Sequence, residues 1–464
     1  LNILQACEDP ELFGRWFKDE ATWRSWFTFL KVLFGLPLSD GELAQFRERT
    51  GRTEPPGERV REAWLICGRR AGKSFVLALV AVFLACFIDW APFLSPGERG
   101  TVMVIATDRR QARTIYRYAA ALLTKIPMLN ALIARETAEA IDLNNGITIE
   151  ILTASFRTVR GYTLVAALLD EVAFWHSDDS ANPDSEILSA IRPAMATIPS
   201  ALLLCASSPY AKRGVLWDAF RKSYGKAGPV LVWKADTRTM NPTVPQAVID
   251  DAIERDPASA AAEFGAEFRQ DVETFVAREV VEAAIIPGRH ELPPLSGTQY
   301  FAFTDPSGGS SDSMTLAISH NENGRAVLDV IRERKPPFSP EDVTTEFAEV
   351  LMAYGLAEVH GDRYAGEWPR ERFHVHGIQY LLSDKPKSDL YRDFLPIVNS
   401  GKAELLDNQR LLTQLCGLER RTARGGRDSI DHAPGAHDDI ANAVAGALVM
   451  TLERREHFRE FNFG

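Results

Sequence analysis

The run Gly68-Arg69-Arg70-Ala71-Gly72-Lys73-Ser74 stands between a short apolar segment and a longer one. These residue types at this spacing suit phosphate binding. Backbone N–H groups around Gly72 can face an anion at a helix N-terminus, Lys73 can reach the outer phosphates, and the Ser74 hydroxyl can ligate Mg2+. The pattern departs from the usual G-x-x-x-x-G-K-[ST], because Cys67 stands where the first glycine belongs. Further on, Val165-Ala166-Ala167-Leu168-Leu169-Asp170-Glu171 reads as a buried strand ending in two acids. Asp170 could hold Mg2+ through its water shell and Glu171 could polarise an attacking water. Arg160, ten residues before Asp170, could steady charge on a transferring phosphoryl group in the same subunit or a neighbour's. Ser207 and Ser208, before Pro209, place hydroxyls at another strand tip, to sense the outer phosphate or to form a turn.

The C-terminal half carries a different set. Asp305 follows Tyr300–Thr304, Asp362 follows Ala357–His360, and Asp438 and Asp439 open a final helical segment. Singly these acids would serve as turn and cap residues. Two strand ends and a helix start can instead bring them to one site. Two divalent ions ~3.5–4 Å apart, bridged by such carboxylates, can activate water for phosphodiester hydrolysis. Oxygen ligands favour Mg2+ or Mn2+ over zinc. His360, His374, His376 and His437 have no metal-ligand spacing, and His437 is the one that matters most by position.

These residues need elements to hold them. Trp16, Trp23, Trp26, Phe27, Leu30 and Phe34 recur near a helical turn, predicting one or two amphipathic helices in 1–60. From 61 to 270, apolar runs at Ala63–Cys67, Thr101–Ala106, Thr148–Leu152, Leu164–Leu169 and Ala201–Ala206 alternate with helical segments, as in a helix-covered parallel sheet. Pro287, Gly288, Pro293 and Pro294 mark a linker at 271–296. After it, 297–464 begins with three strands, Tyr300–Thr304, Met314–His320 and Arg325–Glu333, with a hairpin turn at Asn323-Gly324. A helix from Pro340 to about Tyr354, a strand ending at His360 and a helix from Asp438 to about Arg454 follow. The class is α/β.

The 464 residues suggest two to three domains at roughly 100–200 residues each. An apolar share of 45% excludes a disordered or collagen-like chain. Five scattered cysteines without a C-x-x-C pair argue against a disulfide framework or zinc knuckle and favour a reducing, intracellular setting. The longest apolar run, Phe75 to Ile88, suits a buried helix and not a membrane span. The chain begins at Leu1 and not Met, so preceding residues are expected. Net charge is −11, so any nucleic-acid contact must be local, on a basic face of an acidic protein.

The phosphate loop, the run Ala106-Thr107-Asp108-Arg109-Arg110-Gln111-Ala112, Arg160-Gly161 before Leu168-Leu169-Asp170-Glu171, Ser207-Ser208-Pro209, and then Asp305-Pro306, Gly361-Asp362-Arg363 and His437-Asp438-Asp439 occur in one order. In that order they resemble the large terminase subunit of tailed bacteriophages, from about residue 15 to 455. The resemblance implies a RecA-like ATPase domain with an additional strand, followed by an RNase H-like nuclease domain. It implies an ATP-driven motor that moves double-stranded DNA into a procapsid and a two-metal endonuclease that cuts concatemers. Gly68, Arg69, Arg70, Ala71, Gly72, Lys73, Ser74 and Asp170 would bind ATP and Mg2+, with Glu171 the catalytic base. Arg160 matches an arginine finger in trans, and Arg69 or Arg70 one in cis. Ser207 and Ser208 match a coupling motif. Asp305, Asp362 and one of Asp438 or Asp439 match the nuclease triad on Mg2+ or Mn2+, with Asp312 an extra ligand. The implied partners are the portal protein and a small terminase subunit, the implied assembly a homo-oligomeric ring, usually pentameric, and the implied location the host cytoplasm without membrane contact. A helicase or repair ATPase with a junction nuclease, and a catalytically dead prophage assembly protein, are the alternatives.

Overall fold

The computed structural model describes residues 1–154, 161–175, 183–310, 312–362, 368–422 and 428–461, the last with side chains to 453. The described residues form two compact units, one from residues up to 270 and one from 271 onward. The α/β class is the one expected.

The first unit is built on an eight-stranded sheet. Its strands are β1 (Glu62–Cys67), β2 (Gly100–Ala106), β3 (Ile133–Glu136), β4 (Ala140–Leu143), β5 (Ile147–Thr153), β6 (Thr163–Asp170), β7 (Leu202–Ser207) and β8 (Val230–Ala235). They lie in the order β3-β4-β5-β2-β6-β7-β1-β8. From β5 to β8 every pairing is parallel, and β3 and β4 add an antiparallel edge. Parallel strands covered on both faces read as unbroken apolar runs, which made five of these eight legible in advance. The β3–β4 edge and β8 were not anticipated.

The helix Lys73–Phe87 is buried without a break from Val76 to Ala85. An all-apolar helix needs cover on every side, and residues 1–60 help supply it. Phe17 and Trp23 meet Phe75 at ring-centroid distances of 6.0 and 5.4 Å, Phe34 meets Phe83 at 5.3 Å, and Phe13 meets Phe87 at 6.0 Å. The N-terminal stretch expected as a helical lead-in is therefore helical and part of the first unit's core.

The second unit comprises β9 (Val272–Thr274), β10 (Tyr300–Asp305), β11 (Met314–Glu322), β12 (Arg325–Arg334), β13 (Glu358–Gly361), β14 (Gln379–Leu382), β15 (Ala403–Glu404), β16 (Leu418–Thr422) and β17 (Asp428–His432). Six form one mixed sheet, β14-β13-β10-β11-β12-β15, and β17-β16-β9 form a small antiparallel one. Asn323 and Gly324, both at positive φ, close the β11–β12 hairpin as predicted. Alternation sends Met314, Leu316 and Ile318 to one face, against the helix Pro340–Ala353 with Phe347 and Leu351. Ala317 and Phe303 go to the other face, against the C-terminal helix Asp439–Phe461.

The stretch 271–296, expected as a linker, carries β9 and the helix Arg278–Ala284. Val272 pairs with Arg421 of β16, and Val281 and Ala284 are buried in the second unit. Its prolines interrupt regular structure without freeing the chain, because the apolar residues beside them find a core.

Gly446 shows how closely the C-terminal helix sits on β10. A Cβ there would stand 2.4 Å from the Phe303 ring. Gly446→Ala should destabilise the second unit by about 1–3 kcal/mol through overpacking, although alanine favours a helix by about 1 kcal/mol. A lower urea midpoint is expected, and an unchanged one would contradict this contact. The described residues include five free thiols and no helix long and apolar enough to cross a membrane.

Candidate functional site

In the first unit, β7 lies between β1 and β6. Ile66 of β1 is level with Ser207, and Asp170 of β6 with Ala206. The loop after β1, the acids after β6 and the serines of β7 thus meet at the carboxyl end of the sheet, where parallel α/β sheets place ligands.

The loop is shaped by packing from outside. A Cβ at Gly68 would stand 2.2 Å from Thr237 Oγ1, so only glycine fits. Arg70 and Gly72 take left-handed conformations, with φ of 65° and 104°. Three successive carbonyls are tied outward: Thr237 Oγ1 donates to Arg69 O at 2.8 Å, Asn241 Nδ2 to Arg70 O at 2.8 Å, and Trp26 Nε1 to Ala71 O at 2.9 Å. The helix that begins at Lys73 has no side-chain cap. Its first amides are left for an acceptor, and the helix dipole favours an anion there.

Lys73 is buried. Its Nζ donates to the Cys67 and Gly68 carbonyls at 3.2 Å and to Ser208 Oγ at 3.0 Å, and lies 3.3 Å from Glu171 Oε1. Ser74 Oγ donates to Asp170 Oδ2 at 2.9 Å. Burial and the Glu171 charge push the Asp170 carboxyl up to about 6, against the pull of Lys73 and its hydrogen-bond donors. Asp170 Oδ1 is buried with no hydrogen-bond partner. An orphaned buried carboxylate oxygen beside a serine hydroxyl fits a hard cation.

Glu171 has a φ of 52°, a strained setting for a non-glycine residue. Its Oε2 accepts from the Ser208 amide at 3.0 Å and Ser207 Oγ at 3.2 Å. The two serines therefore join Glu171 to Lys73. Arg69 pairs with Glu263 at 3.2 Å, and Arg160 lies outside the described residues.

Gln111 is the residue that sequence reasoning left without a role. Its Nε2 donates to Asp170 Oδ2 at 2.9 Å, the same oxygen that Ser74 uses. Asp108 caps its helix, Arg109–Thr124, which follows β2 beside β6. That helix contains no acid, and it exposes Arg109, Arg110, Arg113 and Arg117. Arg109, Arg113 and Arg117 are spaced by one turn and share a face, while Ala112, Ile115, Ala119 and Leu122 are buried opposite. Like charges at this spacing, and arginines in a first turn, weaken a helix by a few tenths of a kcal/mol each. Among the described residues none of the four has an ion pair, so the fold does not account for them.

In the second unit, β10 and β13 run side by side in parallel, with Thr304 level with Gly361. Asp305 ends one strand and Asp362 follows the other, which brings the two together. Asp305 is also level with Thr315 of β11, whose Oγ1 donates to Asp439 O at 2.8 Å. The C-terminal helix is thereby pinned with its acidic start beside Asp305. Asn442, one turn along, donates to Asp305 Oδ2 at 2.9 Å.

Burial pushes the Asp305 carboxyl well up, opposed by Asn442 and reinforced by the Asp439, Asp438 and Asp362 charges. Asp439 is raised to about 6 by burial and Asp438, with His437 opposing and Asp312 reinforcing. Asp439 Oδ2 is buried and lacks a hydrogen-bond partner. Mutually repelling carboxylates with an open oxygen fit a divalent cation. The adjacent Asp438 is different: Tyr391 donates to its Oδ2 at 2.8 Å, and Lys387 Nζ stands 3.0 Å away. Asn442 was findable from helical spacing, whereas Lys387 and Tyr391 were not.

No protein-family model and no curated protein matches the chain. Solved structures do. The large terminase of bacteriophage HK97 is 15% identical with a TM-score of 0.38, over 92% of this chain and 99% of that one. The large terminase of a thermophilic bacteriophage is 12% identical at 0.38, over 90% and 99%. The nuclease of the thermophilic phage G20c large terminase is 17% identical at 0.33, over 36% and 94%. Along about nine-tenths of its length the chain is similar to phage large terminases.

Proposed function

We propose that the protein is a viral DNA-packaging motor: its first unit hydrolyses ATP to move double-stranded DNA, and its second is a metal-dependent endonuclease that cuts it. The reading is carried by Lys73, Ser74, Asp170 and Glu171, which interlock at the carboxyl end of one sheet. A separate carboxylate centre stands in the other unit.

In this reading the loop amides and Lys73 bind the outer phosphates of ATP. Ser74 and Asp170 hold Mg2+, which supplies charge neutralisation on phosphate oxygens. Glu171 accepts the proton of the attacking water. Lys73 must leave its present partners to reach a phosphate, and the contacts among Lys73, Ser208, Ser207 and Glu171 then change together. In the second unit Asp305, Asp362 and Asp439 hold Mg2+ or Mn2+, whose chemistry is to activate water and steady the leaving oxygen. Asp438, already satisfied by Lys387 and Tyr391, is left out of that ligand set. A portal, a small terminase subunit and a ring assembly follow from the same reading.

The exposed arginines of the helix Arg109–Thr124 are assigned to the DNA backbone. They meet the requirement that an acidic protein concentrate its basic groups locally. Combined Arg113→Glu and Arg117→Glu should weaken duplex binding by roughly tenfold or more at low salt and reduce the salt slope by about two. Titrating duplex DNA at several salt concentrations measures both, and an unchanged slope would take the contact away from this helix. A forked duplex should bind without being unwound, which separates this reading from a helicase.

A further inference from the structure

Asp305 of β10, Thr315 of β11 and Glu333 of β12 stand level across three neighbouring strands. Directly opposite residues of antiparallel strands project to one face, here the face that carries the acidic start of the C-terminal helix. Two of the three touch that start at once: Asp305 through Asn442, and Thr315 through its hydrogen bond to Asp439 O. Glu333 reaches it by a longer route. Its Oε1 accepts from Ser313 Oγ at 2.9 Å, and the Ser313 amide hydrogen-bonds the Asp439 carboxyl. The same Glu333 oxygen accepts from Arg410 Nη2 at 2.8 Å.

Arg410 belongs to the helix Gln409–Gly417. One turn further on, Gln414 is buried, and its Oε1 accepts from the Ala441 amide at 3.0 Å. An amide in a first helical turn is usually taken by the side chain just before the helix. Here a glutamine from another helix takes it, and neither Asp438 nor Asp439 is needed for that bond. The helix Gln409–Gly417 thus holds the backbone of this start through Gln414, and the Asp439 side chain through Arg410, Glu333 and Ser313. The Glu333 and Arg410 side chains are only 13% and 16% exposed. Desolvation offsets much of the attraction in such a pair, and apolar residues of similar volume would serve stability as well. They would not supply the acceptor that fixes Ser313.

We propose that Glu333 is a positioning residue of the carboxylate centre: through Ser313 it fixes the direction in which Asp439 presents its unpartnered oxygen to a divalent ion. The inference rests on the metal-dependent nuclease reading, and the ligands remain Asp305, Asp362 and Asp439. Hydrogen bonds behind a ligating carboxylate hold it ready for the ion, and their loss commonly lowers metal affinity by roughly 10–100-fold. A purely structural pair between β12 and the helix Gln409–Gly417 would have the same contacts. Breaking it would cost stability and leave ion affinity where it was.

Mn2+ affinity separates these roles. The full chain is titrated with Mn2+ without nucleotide, free ion is read by electron paramagnetic resonance, and the binding that disappears in Asp439→Asn is assigned to this centre. Glu333→Ala and Ser313→Ala should each raise its Kd by roughly tenfold or more. Glu333→Gln, which keeps the acceptor without the charge, should bind like the parent. Circular dichroism confirms that each variant is folded, and Ser313→Ala, which leaves the Glu333–Arg410 pair in place, guards against loss of fold in Glu333→Ala. A folded Ser313→Ala or Glu333→Ala that binds Mn2+ as tightly as the parent overturns the inference. So does a Glu333→Gln as weak as Glu333→Ala, because the charge and not the hydrogen bond would then be what matters. If Asp439→Asn removes no Mn2+ from the folded chain, the metal-centre reading itself fails and takes this inference with it.

Discussion

Lys73→Ala should abolish ATP hydrolysis, lowering turnover by about 10²-fold or more, while Mn2+-dependent plasmid cleavage persists. The expectation follows from the side chain's position. Its ammonium is the buried positive charge beside Glu171 and one of the influences that hold the Asp170 carboxyl down. Removing it leaves two acids without their cation and takes away the donor that would reach a phosphate. Glu171→Gln separates the two losses. It keeps the loop and Lys73, so nucleotide should still bind, yet hydrolysis should fall by about 10²–10⁴-fold because the proposed base is gone. Phosphate release and fluorescent-nucleotide binding, measured on both variants, test this directly. A Lys73→Ala protein that still hydrolyses ATP would falsify the assignment of the loop.

Asp305→Asn should do the reverse. Cleavage should fall by several kcal/mol of transition-state stabilisation, or ~10³-fold, with ATP hydrolysis intact. This substitution also has a stability signature. Asp305 has a carboxyl pushed well up by burial and by the Asp439, Asp438 and Asp362 charges. An acid whose folded-state pKa is raised binds its proton more tightly folded than unfolded, so its ionised form opposes folding above the unfolded-state pKa. With a chelator at neutral pH, Asp305→Asn should therefore unfold at a higher urea concentration than the parent. The difference should close as pH falls and Asp305 gains a proton, and also when Mn2+ is added to the parent. Full cleavage by a clean Asp305→Asn preparation would remove this aspartate from the reaction. A variant less stable than the parent in chelator would contradict the account of its electrostatics.

The placement of many residues of both candidate sites could be read in advance because they sit at the ends of regular elements. Asp170 closes β6, Asp305 closes β10, Asp362 follows β13 and Lys73 opens a helix. Strand ends and helix starts have local signals in apolar runs, turn residues and caps. The short strands gave weaker ones. β3, β4 and β14 have four residues each and β15 has two, so hydrophobic periodicity had little length on which to act.

The residues alone placed two sets of carboxylates and a Gly-Lys-Ser loop at the ends of regular elements, pointed to the α/β class and required any basic face to be local. The tertiary structure decided which groups answer those residues. Trp26, Thr237 and Asn241 reach the loop from distant parts of the chain, and Gln111 reaches Asp170 because β2 lies beside β6. It also parted Asp438 from Asp439. Adjacent positions at a helix start point to different sides, and only packing says that Lys387 and Tyr391 stand on one of them. Local patterning follows from backbone geometry over a few residues, whereas a partner dozens of residues away is chosen by sheet order and by which helix covers which face.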